Sequence, residues 1–221
     1  MKGRFIMFVR NRMTKHPVTV LPETTVDDAF ARMKAAKIRH LPVVEDGKLV
    51  GIVTDRDLMR VSPSAATTLS RYEINSLLAK IKILDIMSKS VIFVNESAPI
   101  EEAAFLMSRN RIRGLPVISD VGTVVGVITE NDIFDAFVDI MDLQGGKTRI
   151  TLEVEDKVGV VSDIAGIFKE TGSNIDSFVT CPQEDGNYEI IIRGNFEETD
   201  VLTTKLTEHG YKVIQAARIG R

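Results

Sequence analysis

The chain has 221 residues, with 28 Lys and Arg against 31 Asp and Glu and a formal charge of −3. That length allows one or two domains with an ordinary core, and that charge argues against nucleic acid as the main partner, because phosphate neutralisation needs a net basic face. The single cysteine, Cys181, excludes an internal disulfide framework and points to a reducing compartment.

The N-terminal stretch from Phe5 to Val9 is too short for a signal-peptide core of roughly 7–15 residues. No apolar run approaches the roughly 20 residues of a membrane span. A cytoplasmic protein with no membrane partner is expected. From Met13 the chain begins to repeat itself. Met13–Asp46 aligns with Met87–Asp120, with 11 of 34 positions identical. After a one-residue insertion, Gly51-Ile-Val-Thr54-Asp-Arg-Asp57 faces Gly126-Val-Ile-Thr129-Glu-Asn-Asp132. Two copies are too few for a solenoid, so a packed pair of small α/β units is predicted.

In the first copy, Val18–Leu21 reads as a short strand ended by Pro22. Thr25 then caps a helix with Asp27 and Asp28 in its first turn, where the helix dipole favours anions. Val26, Ala29, Phe30 and Met33 recur at helical spacing and should face the core. In the second copy Ile100, Ala103, Ala104 and Met107 do the same, and Pro99 sits where its missing N–H costs little. Two strands follow in each copy: His40–Glu45 and Lys48–Thr54, joined by Asp46-Gly47, then Leu115–Ser119 and Thr123–Thr129. A second helix should begin near Asp55 and near Glu130.

The segment 62–86 connects the copies. It opens on an exposed loop from Ser62 and continues as a helix carrying Ile74, Leu77, Leu78 and Ile81. A linker, 142–147, precedes a last segment of different rhythm. There, Arg149–Val154 is a strand. Val161, Ile164, Ala165 and Phe168 mark a helix stopping at Gly172. Ile175–Thr180 and Tyr188–Arg193 are strands, Val201, Leu202 and Leu206 mark a helix, and Tyr211–Ala216 is the last strand. The order β-α-β-β-α-β is the ferredoxin-like arrangement.

Chemistry concentrates at Thr54…Asp57 and Thr129…Asp132. The pattern [ST]-x-x-[DE] at a helix start is first of all a capping box. The same turn suits a nucleotide. Free backbone N–H groups attract an anion, the Thr hydroxyl can bond a phosphate oxygen, and the Asp can accept both hydroxyls of a ribose. A cap and a ligand contact are compatible. Basic clusters stand at equivalent points of both copies, Lys37, Arg39 and His40 before Leu41-Pro42-Val43, and Arg109, Arg111 and Arg113 before Leu115-Pro116-Val117. Helix C-termini account for Lys37, Arg109 and Arg111. Arg39 and Arg113 lie at the start of the next strand, where anion binding is the better reading.

Through its two R-x-L-P-V segments and its two G-h-h-T-x-x-D segments, with h apolar, the stretch 13–134 resembles a tandem pair of CBS domains, or Bateman module. The resemblance implies ribose at Asp57 and Asp132, and phosphate at Thr54 and Thr129. Arg39, His40 and Arg113 would line the phosphate end, and Pro17-Val18 and Val91-Ile92 would contact the base. Gly114 stands where the first copy has His40, so the two sites should differ in affinity. Ligands of the family include AMP, ADP, ATP, S-adenosylmethionine and NAD. The last 74 residues resemble an ACT domain through Asp156-Lys-Val-Gly159 and Gly172-Ser-Asn174-Ile175. That resemblance implies dimerisation and a site for an amino acid, with Asp156, Gly159, Asn174 and Ile175 as candidates. The order CBS–CBS–ACT resembles the acetoin-utilisation AcuB-like proteins.

The expected fold class is thus α/β (α+β), a CBS pair followed by a ferredoxin-like ACT domain. The expected division is 1–61, 62–86, 87–141, 142–147 and 148–221. The three histidines, His16, His40 and His209, have no metal-like spacing, and Cys181 has no nearby His or Cys. No acid–base–nucleophile set is visible. The expected function is a non-enzymatic sensor: a homodimer or higher oligomer that binds an adenosine-containing ligand and regulates a partner protein, with acetoin utilisation as its setting. A purely structural oligomerisation module is the alternative.

Overall fold

The computed structural model describes residues 7–62, 70–141, 143 and 146–219. Most of the loop expected after Ser62, and most of the linker 142–147, lie outside them. The chain forms two compact units, Met1–Phe134 and Asp135–Arg221.

The first unit holds the repeat. Its elements in chain order are α1 (Val9–Arg12), β1 (Thr14–Lys15), α2 (Val26–Ala36), β2 (His40–Glu45), β3 (Lys48–Thr54), α3 (Asp55–Val61), α4 (Arg71–Leu78), α5 (Ile83–Ile86), β4 (Val94–Asn95), α6 (Ile100–Asn110), β5 (Gly114–Ile118) and β6 (Val124–Thr129). The helix α7 (Glu130–Ile140) runs across the boundary. Thr25 caps α2 by accepting from the Asp28 N–H at 3.2 Å. Lys37 and Arg111 end α2 and α6 in the left-handed conformation, at φ 55° in both. The two copies therefore share even their helix stops.

The expected strand Val18–Leu21 contracts to one bridge, Val20 to Val43. Val20 makes both of its backbone bonds, to Pro42 and Val44. Pro17 and Pro22 flank it and bring no N–H to a ladder. Leu21 instead turns back to the Thr24 hydroxyl at 3.0 Å.

Each copy borrows a strand edge from the chain ahead of the other copy. β1 pairs antiparallel with β6, Thr14 opposite Val127, giving the sheet order β1-β6-β5-β4. In the same way Ser88 bridges Ile52 of β3, next to the β2–β3 pair. Side chains lock the exchange. A Cβ on Gly126 would overlap the Met13 sulfur, and one on Gly51 would overlap the Met87 sulfur. Those two glycines are needed for this close approach.

Val20, Val26, Ala29, Met33, Leu41, Val43, Val53, Leu58, Leu78 and Ile83 form the core of the first copy. Each of these side chains except Ala29 contributes roughly 1.5–3 kcal/mol by leaving water. Phe30, expected to face the core, is exposed, as is Leu77 on the connecting helix. The inward stripe of α2 runs through Val26, Ala29 and Met33, and Phe30 lies one step round the helix.

The second unit is built from β7 (Lys147–Glu155), α8 (Val160–Glu170), β8 (Ser177–Pro182), β9 (Asn187–Gly194), α9 (Thr199–Glu208) and β10 (Lys212–Ile219), in sheet order β10-β7-β9-β8. This is the expected β-α-β-β-α-β order. Ile150, Leu152, Ile190 and Ile192 meet Ile164, Ile167, Phe168, Leu202 and Leu206 in its core. Phe168 and Phe196 contact edge to face, with centroids 5.2 Å apart. Val161 and Val201 point outward, because Ile167 and Leu202 hold the inward positions.

Candidate functional site

In each copy a strand ends at a threonine and a helix starts on the next residue. Thr54 donates to Asp57 Oδ2 through its N–H at 2.9 Å and its hydroxyl at 2.6 Å. Thr129 donates to Asp132 Oδ2 through the same two groups at 2.7 and 2.8 Å. The capping reading therefore holds in both copies. One oxygen of each half-buried carboxylate is occupied, and no hydrogen bond recorded among the described residues takes the other.

Some of the backbone N–H groups expected to attract an anion are taken. Asp55 N–H donates to the Arg39 carbonyl at 3.1 Å, and Glu130 N–H donates to the Arg113 carbonyl at 3.2 Å. Arg56 N–H donates to Asp55 Oδ1 at 2.9 Å. An anion here has fewer main-chain donors to meet, and side chains gain in weight. The Thr54 and Thr129 hydroxyls would have to turn from Asp57 and Asp132 to donate to a phosphate oxygen.

The cations differ between copies. Arg113 lies 3.7 Å from Glu130, both largely exposed. Arg39 is exposed and has no ion pair among the described residues. His40 and Gly114, at equivalent positions, meet. A Cβ on Gly114 would lie 3.0–3.1 Å from three atoms of the His40 ring. A side chain at 114 would require the His40 ring to give way by a few tenths of an ångström. Burial lowers the His40 pKa below its ordinary value; Asp55 and Glu130 oppose this and Arg39 adds to it. The sequence showed His40 beside Arg39, but its neighbours across the seam were not visible. The available signal was the His-to-Gly difference at one position of an otherwise repeated motif.

The four base-contact candidates all lie on crossing segments. Pro17 and Val18 sit between β1, which pairs with the second copy, and Val20, which bridges the first. Val91 and Ile92 sit between Ser88, which bridges the first copy, and β4, which pairs with β5. Pro17, Val91 and Ile92 are partly exposed, and Val18 is exposed. Each crossing segment thus places an apolar pair at the junction of the copies.

The four ACT candidates separate into two places. Asp156 and Gly159 follow the end of β7 that pairs with Asn187, while Asn174 and Ile175 precede Ser177, which pairs with Arg193 opposite Arg149. Those are opposite ends of the sheet, joined by α8, which is about 16 Å long. Gly159 has φ 99° with open space around it, so its backbone conformation already requires glycine. Asn174 presses its carbonyl against Gly194, where a Cβ could not fit. Among the described residues no cluster of His, Cys, Asp and Glu could hold a metal ion, and no helix is long and apolar enough to cross a membrane.

Known proteins match this architecture. The CBS domain family model matches residues 9–64 and 83–139, and the ACT domain model matches 148–211. A CBS domain-containing protein of Dictyostelium discoideum is 32% identical over 137 residues, 62% of this chain and 94% of that one. The inosine-5'-monophosphate dehydrogenase of Thermoplasma acidophilum is 37% identical over 115 residues, 52% of this chain but only 20% of the enzyme. Among solved structures, the CBS domain pair of protein MJ0100, in complex with 5'-methylthioadenosine and S-adenosyl-L-methionine, is 32% identical with TM-score 0.50, covering 61% of this chain and 98% of that one. CBSX2 in complex with AMP is 31% identical with TM-score 0.50, covering 61% and 98%. A putative acetoin utilization protein from Vibrio cholerae is 32% identical with TM-score 0.51, covering 63% and 96%.

Proposed function

This chain belongs to the CBS-domain family and carries an ACT domain behind its CBS pair, and from that premise we propose that it is a non-enzymatic regulatory sensor of an adenosine-containing ligand. The observation that carries the reading is the matched pair of turns. Asp57 and Asp132 are each held by two bonds to the threonine three residues earlier, with one oxygen left for a ribose. The adenosine ligands of the MJ0100 pair and of CBSX2 support the ligand class. Pro17-Val18 and Val91-Ile92 would receive the base, and Arg39, His40, Arg113, Thr54 and Thr129 the phosphate end.

Ligand binding at the junction would alter how the two copies pack and so alter a regulated partner protein, which requires a ligand that binds two conformations differently. The ACT domain would dimerise the chain or sense a small molecule such as an amino acid. The likeness to the Vibrio cholerae protein supports acetoin utilisation as the setting.

A thermal-shift panel with AMP, ADP, ATP, S-adenosylmethionine, NADH and amino acids tests the reading. A ligand at 100 times its Kd should stabilise by about 2.7 kcal/mol, a shift of roughly 5–11 °C for a chain this long. Asp57→Ala and Asp132→Ala should weaken the response selectively. Wild-type binding by both variants would sink the site assignment. No response to any adenosine ligand would leave the structural oligomerisation module as the better reading.

A further inference from the structure

The two turns are joined through one side chain. His40 opens β2 and pairs across the ladder with Thr54. Gly114 opens β5 and pairs across its own ladder with Thr129. The His40 ring lies against Gly114. The order Thr54, His40, Gly114, Thr129 thus crosses the seam between the copies, and the imidazole fills the middle of it.

The charges around the ring come from both sides. Asp55 of α3 and Arg39 ahead of β2 belong to the first copy, and Glu130 of α7 to the second. Glu130 is in turn bridged by Arg113. Asp55 and Glu130 are equivalent residues of the repeat, so a single imidazole faces the same acidic position from each copy. The first main-chain donor of each turn is already engaged, Asp55 by the Arg39 carbonyl and Glu130 by the Arg113 carbonyl. An incoming phosphate therefore has side chains to recruit, and His40 is the one among them whose charge changes near neutral pH.

We propose that His40 is a specificity-determining residue that sorts adenosine ligands by charge, taking up a proton when the ligand is an anionic phosphate and staying neutral when it is not. This rests on the adenosine-ligand reading of the same clefts. The physics is a competition at one position. Burial against Gly114 disfavours the imidazolium in the empty protein. A phosphate brought to the Thr54 and Thr129 turns supplies the opposite charge that favours it. Binding a phosphate ligand then consumes a proton, so its affinity rises as pH falls through the interval between the free and the liganded pKa of His40. A ligand without phosphate gains nothing from that proton, and a cationic sulfonium is repelled by it.

Two measurements test this on the full chain. Titration calorimetry of wild type with NAD+, whose diphosphate does not itself titrate near neutrality, is run at pH 6.5 in two buffers of different ionisation enthalpy. The same is done with 5'-methylthioadenosine. Proton uptake with NAD+ and none with 5'-methylthioadenosine is expected. Affinities at pH 5.5 and pH 8.0 are then compared between wild type and His40→Gln. Wild type should bind NAD+ several-fold more tightly at the lower pH, up to about tenfold per pH unit for one linked proton, while 5'-methylthioadenosine stays within twofold. His40→Gln should flatten the NAD+ dependence. Binding of NAD+ without proton uptake, or an equal pH dependence in the variant, would overturn the role of His40 and leave the adenosine reading intact. Binding of neither ligand at either pH would overturn the role of His40, while the adenosine reading stands or falls with the full ligand panel. The wild-type calorimetry decides the matter even if the variant folds poorly.

Discussion

The two copies of the repeat stop their first helices alike, pair their central strands alike and make the same Thr-to-Asp hydrogen bonds, yet they differ where they touch. The first contributes His40 and an exposed Arg39 that has no ion pair among the described residues; the second contributes Gly114 and an Arg113 already bridged to Glu130. Equal copies would place two side chains in one space at the seam. The sequence resolves this by giving the position to one copy, so the pair keeps its fold symmetry and loses its chemical symmetry.

Three changes would break or sharpen that comparison. The largest effect belongs to the shared core. Leu41 and Leu115 are equivalent and fully buried, so Leu41→Ala and Leu115→Ala should each cost about 2–5 kcal/mol, measured by denaturant unfolding. Costs that differ by more than the spread of such series would mean the copies are unequal in packing as well. Next is Gly114→His. It places a second imidazole where the His40 ring lies within 3.0–3.1 Å of the new Cβ, an overpacking cost of about 1–3 kcal/mol. The double exchange His40→Gly with Gly114→His should recover most of that loss in a mutant cycle. If the double variant is no better than Gly114→His, the two positions are not exchangeable.

The smallest effect is the pH dependence of the ligand-free protein. Because burial lowers the His40 pKa, the unfolded chain binds more protons than the folded one at pH values between that lowered pKa and the ordinary 6.5. Stability should therefore rise with pH through this window and be fully present above it. Melting temperatures of wild type and His40→Gln across pH 5 to 8 check this: the rise attributable to His40 should vanish in the variant. A wild-type and variant profile of the same slope would show that the seam is not titrating.

Most of the fold was legible because its signals are local. Asp46-Gly47 between two apolar runs placed β2 and β3 to the residue, and Thr25 with Asp28 placed the start of α2. The capping and ligand readings of Thr54 and Asp57 were both visible for the same reason, since they rest on two residues three positions apart. What stayed hidden depends on pairing at long range. Nothing near Met13 announces that its sulfur will rest on Gly126, and nothing near Ser88 announces its bridge to Ile52. The repeat made each copy look self-contained. The meeting of His40 with Gly114 needs both copies in place before it exists at all. In the last third, the grouping of Gly159 with Asn174 came from the resemblance to an ACT domain, and the sheet register sets them at opposite ends.

The exchange of strand edges also gives the chain an order of assembly. The first copy receives its missing edge from Ser88, so it can close soon after that residue leaves the ribosome. The second copy receives its edge from Thr14 and Lys15, more than a hundred residues upstream of their partners Val127 and Gly126. Residues made first are used last. Closing so long a loop slows folding, and until it closes β6 keeps an open edge. Severing the chain between the copies would leave two fragments, each holding a strand the other needs. Such fragments should be poor folders alone and good ones when mixed.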